Sequence, residues 1–216
     1  MVINIQKKKI MTFYFDQLNT VLFNKSAEAK VDRFAYGLSG PNGTYIEIGA
    51  SKPTQRSNTV ALERQGWKGF GIEFDSRLQH LWPAGRTNHI YWTDATKFDY
   101  LSAAIEQGLP NRINFLQVDI EPPENTFGAL KLAVESGLTF DFIAFEHDVY
   151  CQPVDYNVIA TNYLLTHGYK VAVHNVCSQR KRNPGVWSHI ETWYVNNDIP
   201  FNTIDFFEWK KKYNIT

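Results

Sequence analysis

Residues 45–59 read Tyr-Ile-Glu-Ile-Gly-Ala-Ser-Lys-Pro-Thr-Gln-Arg-Ser-Asn-Thr, and this stretch decides the fold class. A β-rich run ends at Gly49, and a short polar loop leads to a helix-like start near Ser57. Because glycine has no side chain, the backbone there can approach a ligand closely, and Glu47 places a carboxylate at the strand end. The stretch predicts the strand, turn and helix that open a nucleotide-like cofactor site.

A second acidic strand end lies 26 positions after Glu47, where Gly-Phe-Gly-Ile-Glu73-Phe-Asp75 closes the next β-rich run. Doubly wound sheets hold ribose hydroxyls with a carboxylate roughly 20 residues after the glycine turn. The loop lacks the second and third glycines of G-x-G-x-x-G and carries Pro53 instead. An acidic residue beside the loop would also repel a pyrophosphate. We therefore expect a cofactor that is not held by its phosphates.

Strand-like and helix-like segments alternate along the rest of the chain, which indicates a parallel sheet with helices on both faces. Glycines at 66, 108, 137 and 168 each follow a helical pattern and predict its end. Only a polar loop joins the last two strands, so that pair is expected to be antiparallel. The predicted segments are strands 45–49, 69–73, 88–92, 113–119, 140–146, 169–174 and 190–195, and helices 57–65, 76–82, 98–107, 125–136 and 155–167.

The resulting fold class is α/β, with a doubly wound, mostly parallel seven-stranded sheet and a reversed last strand. This arrangement is typical of S-adenosylmethionine-dependent methyltransferases. Residues 1–40 are expected to form an N-terminal tail and a helix that starts at Asp16 or Asn19 and runs to about Tyr36. Residues 41–216 are expected to form the methyltransferase-like domain.

Composition limits the classes of partner. Lys plus Arg and Asp plus Glu number 22 each in 216 residues, so no overall charge attracts nucleic acid or an anionic membrane. Cys151 and Cys177 do not resemble a secreted disulfide framework, and we expect a cytoplasmic protein. The expected partner is a small-molecule acceptor, while the sequence does not indicate an oligomeric state.

The predicted strand ends are unusually polar, and this is where open α/β sheets bind ligands. Acidic side chains at successive ends suit a cofactor with hydroxyls and an amine: Glu73 for the ribose, Asp94 for the adenine amine and Glu47 near a methionine ammonium. Each residue alone could equally be a helix cap or a solvated loop charge. Together they indicate S-adenosylmethionine. The polar ends are Glu47-Ile-Gly49, Glu73-Phe-Asp75, Thr93-Asp94-Ala95, Asp119-Ile-Glu121, Glu146-His147-Asp148 and His174-Asn175.

The sequence resembles the FkbM-like methyltransferases over residues 45 to about 175. The resemblance rests on Tyr45-Ile-Glu-Ile-Gly-Ala with Ser57-Asn-Thr, on Leu62-Glu-Arg-Gln-Gly-Trp-Lys-Gly-Phe-Gly-Ile-Glu73, and on Phe115-Leu-Gln-Val-Asp119-Ile-Glu121. It implies methyl transfer to an oxygen of a sugar or another small hydroxylated acceptor. The chain departs from the family at Pro122-Pro123, where a glycine usually follows the second carboxylate, and at Glu47, where aspartate is common.

These considerations give three groups of candidate residues. His147 is the first candidate general base, with Asp119 and Glu121 as further catalytic candidates. Asp119 and Asp148 could alternatively hold a divalent metal ion. The cofactor candidates are Glu47, Gly49, Ala50, Ser51, Ser57, Asn58, Glu73, Phe74, Asp94, Ala95 and Asp119. The substrate candidates are Glu146, Asp148, His174, Arg180 and Arg182, the last two from the basic loop 178–185.

Two other readings stay open at the level of sequence. A methyltransferase-like fold could serve as a non-catalytic assembly module, with the aromatic run Phe206-Phe-Glu-Trp209 as its docking surface. A dinucleotide-dependent oxidoreductase is a weaker third reading because the glycine fingerprint is missing.

Overall fold

The computed structural model describes residues 12–18, 23, 27–84, 86–150, 153–179 and 185–215. The strands are β1 Thr44–Ile48, β2 Lys68–Glu73, β3 His89–Trp92, β4 Arg112–Val118, β5 Thr139–Glu146, β6 Tyr169–Gln179, β7 Trp187–Asn196 and β8 Ile204–Asp205. The α-helices are α1 Val31–Ser39, α2 Val60–Glu63, α3 Tyr100–Glu106, α4 Pro123–Glu135, α5 Tyr156–Thr166 and α6 Phe206–Lys212. Short 3₁₀ helices occupy Phe15–Gln17, Ser76–Ala84 and Ala95–Lys97.

The strands form one sheet in the order β3-β2-β1-β4-β5-β7-β6-β8. Strands β1 to β5 are mutually parallel, and β7 runs antiparallel to both of its neighbours. The predicted parallel sheet with a reversed strand is confirmed. The sheet has eight strands rather than seven, because two residues of β8 pair in parallel with β6.

The two faces of the sheet are covered by different helices. One face lies under α3, α4 and α5 and is built from aliphatic residues and phenylalanines of β1, β4 and β5. The other, here called the aromatic face, lies under α1, α2 and α6, and its centre is Trp193. The Trp193 ring lies 4.9 Å from Phe34 and 5.0 Å from Trp209, and aromatic contacts of this kind contribute about 0.5–1.5 kcal/mol each beyond area burial.

The N-terminal helix is shorter than predicted. Lys30 has a left-handed backbone (φ 66°), so α1 begins only at Val31 and ends before Gly40. The helix continues past its predicted end near Tyr36 and includes Gly37, where a side chain would not fit because a Cβ would come within 2.3 Å of the Phe15 ring. Residues 19–22 and 24–26 of the predicted helix lie outside the described residues.

The aromatic C-terminal run forms helix α6, and two of its aromatic side chains are buried. The Asp205 carboxylate caps α6 by accepting a hydrogen bond from the Phe207 amide at 2.9 Å. Phe206 and Trp209 are buried in the core, while Phe207 is half-exposed. The sequence alone could not show this burial, because the core that receives these side chains is assembled from distant segments.

Strands β6 and β7 are several residues longer than predicted. β5 ends at Glu146, which pairs with Glu191, whereas β7 continues to pair with β6 as far as Trp187 and Gln179. The hairpin therefore extends past the carboxyl end of β5. That end of the sheet is also where the polar strand ends meet.

Candidate functional site

A cavity of about 650 Å³ opens at the carboxyl ends of β1 to β4. This volume lies within the usual range for small-molecule sites. Seven predicted cofactor residues and the catalytic candidate Glu121 contribute to its wall. The lining residues are Gly49, Ser51, Ile72, Glu73, Phe74, Thr93, Asp94, Ala95, Thr96, Lys97, Asp119, Ile120, Glu121 and Asn125.

Gly49 brings the end of β1 against the segment that follows β4. Its φ is +84°, and a Cβ at this position would lie 1.7 Å from the carbonyl oxygen of Asp119. The Gly49 amide donates to the Ile72 carbonyl oxygen at 2.9 Å, which joins the turn to β2 as well. The glycine is therefore required by the protein's own backbone, and this close approach shapes the floor of the cavity.

Glu73 and Phe74 form the β2 side of the cavity. The Glu73 carboxylate accepts hydrogen bonds from the amides of Ser51 and Asp75, both at 2.7 Å. Phe74 is 78% exposed, which is unusual for so large an apolar side chain. The pair thus presents a fixed carboxylate and an open aromatic face to the same space.

Asp94 lies at the end of β3 and caps the following 3₁₀ helix. Its carboxylate accepts hydrogen bonds from Thr96, at 3.0 Å from the amide and 2.6 Å from the hydroxyl, and pairs with Lys97 at 3.1 Å. The hydrogen bonds from Thr96 and then the nearby Lys97 lower the Asp94 pKa. Asp94 is therefore ionised at neutral pH and combines a capping role with a place in the cavity wall.

Glu47 does not reach the cavity, which disagrees with its predicted contact to a methionine ammonium. Its carboxylate lies behind the loop and accepts hydrogen bonds from Ser57 Oγ at 3.4 Å and the Asn58 amide at 2.9 Å. Ser57 Oγ in turn accepts a hydrogen bond from the amide of Val60, the first residue of α2, at 3.1 Å. Ser57 and Asn58 thus both bind Glu47, and Ala50 is buried.

Arg86 is the central residue that sequence analysis missed. Its buried guanidinium pairs with Glu63 at 2.6 Å and with Glu47 at 3.5 Å, and donates to Thr59 Oγ1 at 2.7 Å. Glu47 and the other partners raise the Arg86 pKa despite its burial. Nothing in the local sequence around Arg86 forms a motif, because its partners lie 23 to 41 positions away.

Three carboxylates stand side by side, directly after β4, at the end of β5 and in β7, and the first of them lines the cavity. They are Asp119, Glu146 and Glu191, on the aromatic face. Burial raises the pKa of Asp119 to about 6 and that of Glu191 to about 8. Burial and the neighbouring Asp119 raise the Glu146 pKa well above its ordinary value. Glu191 was not predicted, although a lone acid inside the apolar strand 190–195 is a signal that could have found it.

His147 is buried beside this row and does not line the cavity. Burial lowers its pKa to about 4, so the ring is neutral at pH 7. Its Nδ1 accepts a hydrogen bond from the Val149 amide at 3.3 Å, which places the proton of the neutral ring on Nε2. In this tautomer neither nitrogen is free to accept a proton from a substrate.

The remaining candidates lie in different places. Asp148 is buried with a left-handed backbone, and its charge contributes to the raised pKa of Glu121, after burial. His174 is half-exposed on the β8 side of β6, 3.9 Å from Asp205. Arg180 and Arg182 lie outside the described residues. Within the described ranges, no group of three or more His, Cys, Asp or Glu side chains is arranged to hold a metal ion.

Comparisons with known proteins identify the fold. A protein of Pyrococcus horikoshii described provisionally as an RNA methyltransferase superposes with a TM-score of 0.53 at 11% identity, over 78% of this chain and 83% of the other. The fibrillarin pre-rRNA processing protein of Methanococcus jannaschii gives 0.50 at 12% identity, over 91% and 86%. The fold is therefore the Rossmann-like class I methyltransferase fold, as predicted.

No protein-family model and no curated protein matches the sequence. The FkbM-like assignment therefore stays a prediction. In the described part of the chain, no helix has the length and apolar character needed to cross a membrane.

Proposed function

We propose that this protein is an S-adenosylmethionine-dependent methyltransferase that methylates an oxygen of a small hydroxylated acceptor, such as a sugar. The observation that carries the proposal is the open cavity at the carboxyl ends of β1 to β4, with Glu73, Phe74 and Asp94 in its wall. In this fold, such cavities lie where adenosine cofactors bind.

The residues present fit such a cofactor. The exposed Phe74 ring offers a surface on which an adenine can stack, and Asp94 offers an acceptor for its amine. Glu73, already held by two backbone amides, is oriented to accept hydrogen bonds from ribose hydroxyls. No phosphate-binding glycine loop is needed for a cofactor of this kind.

When bound, the cofactor supplies an electrophilic methyl group for direct displacement. The protein's part is to align the acceptor oxygen and to take up its proton. Asp119 is the better-placed base, because it lines the cavity and its pKa of about 6 makes it both ionised and more basic than an ordinary carboxylate at pH 7. His147 stays a catalytic prediction, but its pKa of about 4 and occupied Nδ1 favour a structural role.

We favour an enzyme over the assembly module. The run suggested as its docking surface contributes Phe206 and Trp209 to the core, and the cavity is open. The named acceptor class rests on the FkbM-like resemblance. RNA is the competing acceptor, since the Pyrococcus horikoshii protein is described provisionally as an RNA methyltransferase.

Isothermal titration calorimetry with S-adenosylmethionine and S-adenosylhomocysteine tests the cofactor. We expect binding in the micromolar range, and no heat at millimolar ligand with protein shown to be folded by circular dichroism would contradict the enzyme. An acceptor screen with methyl-labelled cofactor then compares sugars, carboxylates and short RNAs. Label appearing only in RNA would overturn the small-molecule acceptor and leave the methyltransferase intact.

A further inference from the structure

The row Asp119, Glu146 and Glu191 has a defined geometry. Glu146 pairs directly with Glu191 across β5 and β7, and Val118 pairs with Phe145, so the next residues, Asp119 and Glu146, are neighbours. Adjacent strands lie about 4.8 Å apart, which makes the row roughly 10 Å long. Asp119 lines the cofactor cavity at one end, and Glu191 lies two strands away from it.

No basic side chain among the described residues accompanies this row. Within the described ranges, Asp119, Glu146 and Glu191 form no ion pair with Lys, Arg or His, and the nearby Arg86 is bound to Glu47 and Glu63. Asp119 and Glu146 are hydrogen-bonded to each other. Glu191 is buried, and Asp119 and Glu146 are partly buried. Keeping several carboxyl groups together in such a place is costly unless a cation or shared protons compensate them.

A second, independent observation points to a ligand. Gln117 is only 1% exposed and lies in β4, two residues before Asp119 and so on the same face of the sheet as the carboxylates. Its Nε2 donates to Glu191 Oε2 at 3.5 Å, while its Oε1 has no hydrogen-bond partner among the described residues. An amide oxygen left without a donor in the interior indicates that a hydrogen-bond donor belongs there.

We propose that the carboxylate row and Gln117 Oε1 bind an ammonium group of the methyl acceptor, so that the acceptor is an amino-bearing alcohol such as an amino sugar. This inference rests on the proposed function and narrows its substrate class. An ammonium compensates the charge and donates three hydrogen bonds to acceptors spread along a row. A divalent ion would need oxygens converging at 2.0–2.6 Å, and the described residues offer no such group.

The same geometry directs the methyl group to oxygen. An amine held by carboxylates stays protonated, has no lone pair and cannot attack a methyl group. With the ammonium at the Glu146 and Glu191 end, the hydroxyl of a molecule the size of a sugar ring reaches Asp119, beside the cavity. The row thus anchors one end of the acceptor and supplies the base at the other.

Matched pairs of probes test the inference. Binding of glucosamine and glucose, of 1,4-diaminobutane and 1,4-butanediol, and of ethanolamine and ethylene glycol is measured by NMR at pH 7, with the protein saturated in S-adenosylhomocysteine. We expect at least one amine to bind about tenfold or more tightly than its alcohol, as one charge-assisted hydrogen bond provides. The Glu191→Gln variant should lose that preference.

Glu208→Gln, an exposed substitution on α6, is the matched control and should retain the preference. Three pairs without an amine preference, or a preference that survives Glu191→Gln, would overturn the inference. So would Mg²⁺ or Mn²⁺ that binds in a Glu191-dependent manner and displaces the amine. Failure to bind S-adenosylhomocysteine contradicts the proposed function instead, and is read from the preceding titration.

Discussion

At the scale of single residues, Arg86 supports the cofactor loop without touching the cavity. Replacing it by Met should lower the free energy of unfolding by about 3–5 kcal/mol, because Glu47 and Glu63 would be left buried without their cation. Urea unfolding of the two proteins measures the difference. The exposed Arg64→Met is the control, and equal losses in both variants would refute the role of the buried network.

Replacing Phe74 should affect ligand binding rather than stability, since its ring is largely in solvent. Phe74→Ala should weaken S-adenosylhomocysteine binding about tenfold, as expected for the loss of one base-stacking surface, with the melting temperature nearly unchanged. Calorimetry and thermal unfolding measure the two effects separately. Phe207→Ala removes a half-exposed ring elsewhere and should leave cofactor affinity as it was; unaltered affinity in Phe74→Ala would remove the stacking role.

Asp119 predicts the direction of the pH dependence of turnover. A base must be ionised to accept a proton, so kcat/KM should rise with pH through about 6 and then level off. The acceptor found in the screen provides the assay, and Asp119→Asn should lower turnover by two or more orders of magnitude, as general-base removal does. An inflection near pH 4, retained in the Asp119→Asn protein and lost in His147→Gln, would return the role to His147.

At the scale of elements, the join between β1 and the segment after β4 leaves no room for a side chain. Gly49→Ala should destabilise the protein by more than 1 kcal/mol, because the methyl group would collide with the Asp119 carbonyl in a left-handed backbone. Chemical denaturation measures this loss. At Gly128 in α4 an added Cβ meets no atom within 4 Å, so Gly128→Ala should raise the free energy of unfolding by up to about 1 kcal/mol. A Gly49→Ala variant as stable as the unmodified protein would show that the contact between the β1 turn and the segment after β4 can adjust.

Sequence patterns identified most elements because their signals are local. The glycines at 66, 108, 137 and 168 all have positive φ, as predicted for helix ends. The start of α1 at Val31 and the burial of Phe206 and Trp209 were missed, since both depend on packing against strands far away in the sequence.

The residues of the site also divide into those with a local sequence signal and those defined by distant contacts. Glu73, Phe74, Asp94 and Asp119 follow strands directly, so the periodic pattern placed them at one edge of the sheet. Arg86, Gln117 and Glu191 could not be placed in this way, because each acquires its role from partners on other strands or loops. Placing Glu191 requires the order of the strands in the sheet, because Glu191 lies next to Glu146 only when β7 pairs with β5.

For the whole molecule, the raised pKa of Glu191 predicts that stability falls as the pH rises from about 4 to about 8. The Glu191 pKa of about 8 exceeds its value in an unfolded chain, about 4.3. The folded state therefore holds an extra proton between these values, and its free energy of unfolding decreases as pH rises, by at most about 1.4 kcal/mol per unit. The lowered pKa of His147 acts in the opposite sense, but only below pH 6.5.

Glu191→Gln should accordingly flatten the fall in unfolding free energy between pH 6.5 and 8, as measured by urea unfolding at several pH values. The pH dependence that remains in the variant reports the other acids whose pKa is raised, including Glu146. Glu208→Gln should show the slope of the unmodified protein. A variant at position 191 with that same slope would show that Glu191 is not protonated in the folded state.

The position of β7 also determines when the sheet can form during synthesis of the chain. β7 lies between β5 and β6 but follows both in the chain, so those two strands have unpaired edges until residues 187–196 have been synthesised. Pairing of β5 with β7 joins residues about 50 positions apart, a long-range closure that is intrinsically slow. The emerging chain therefore holds two open sheet edges until late in synthesis, and these edges are its main point of exposure to aggregation.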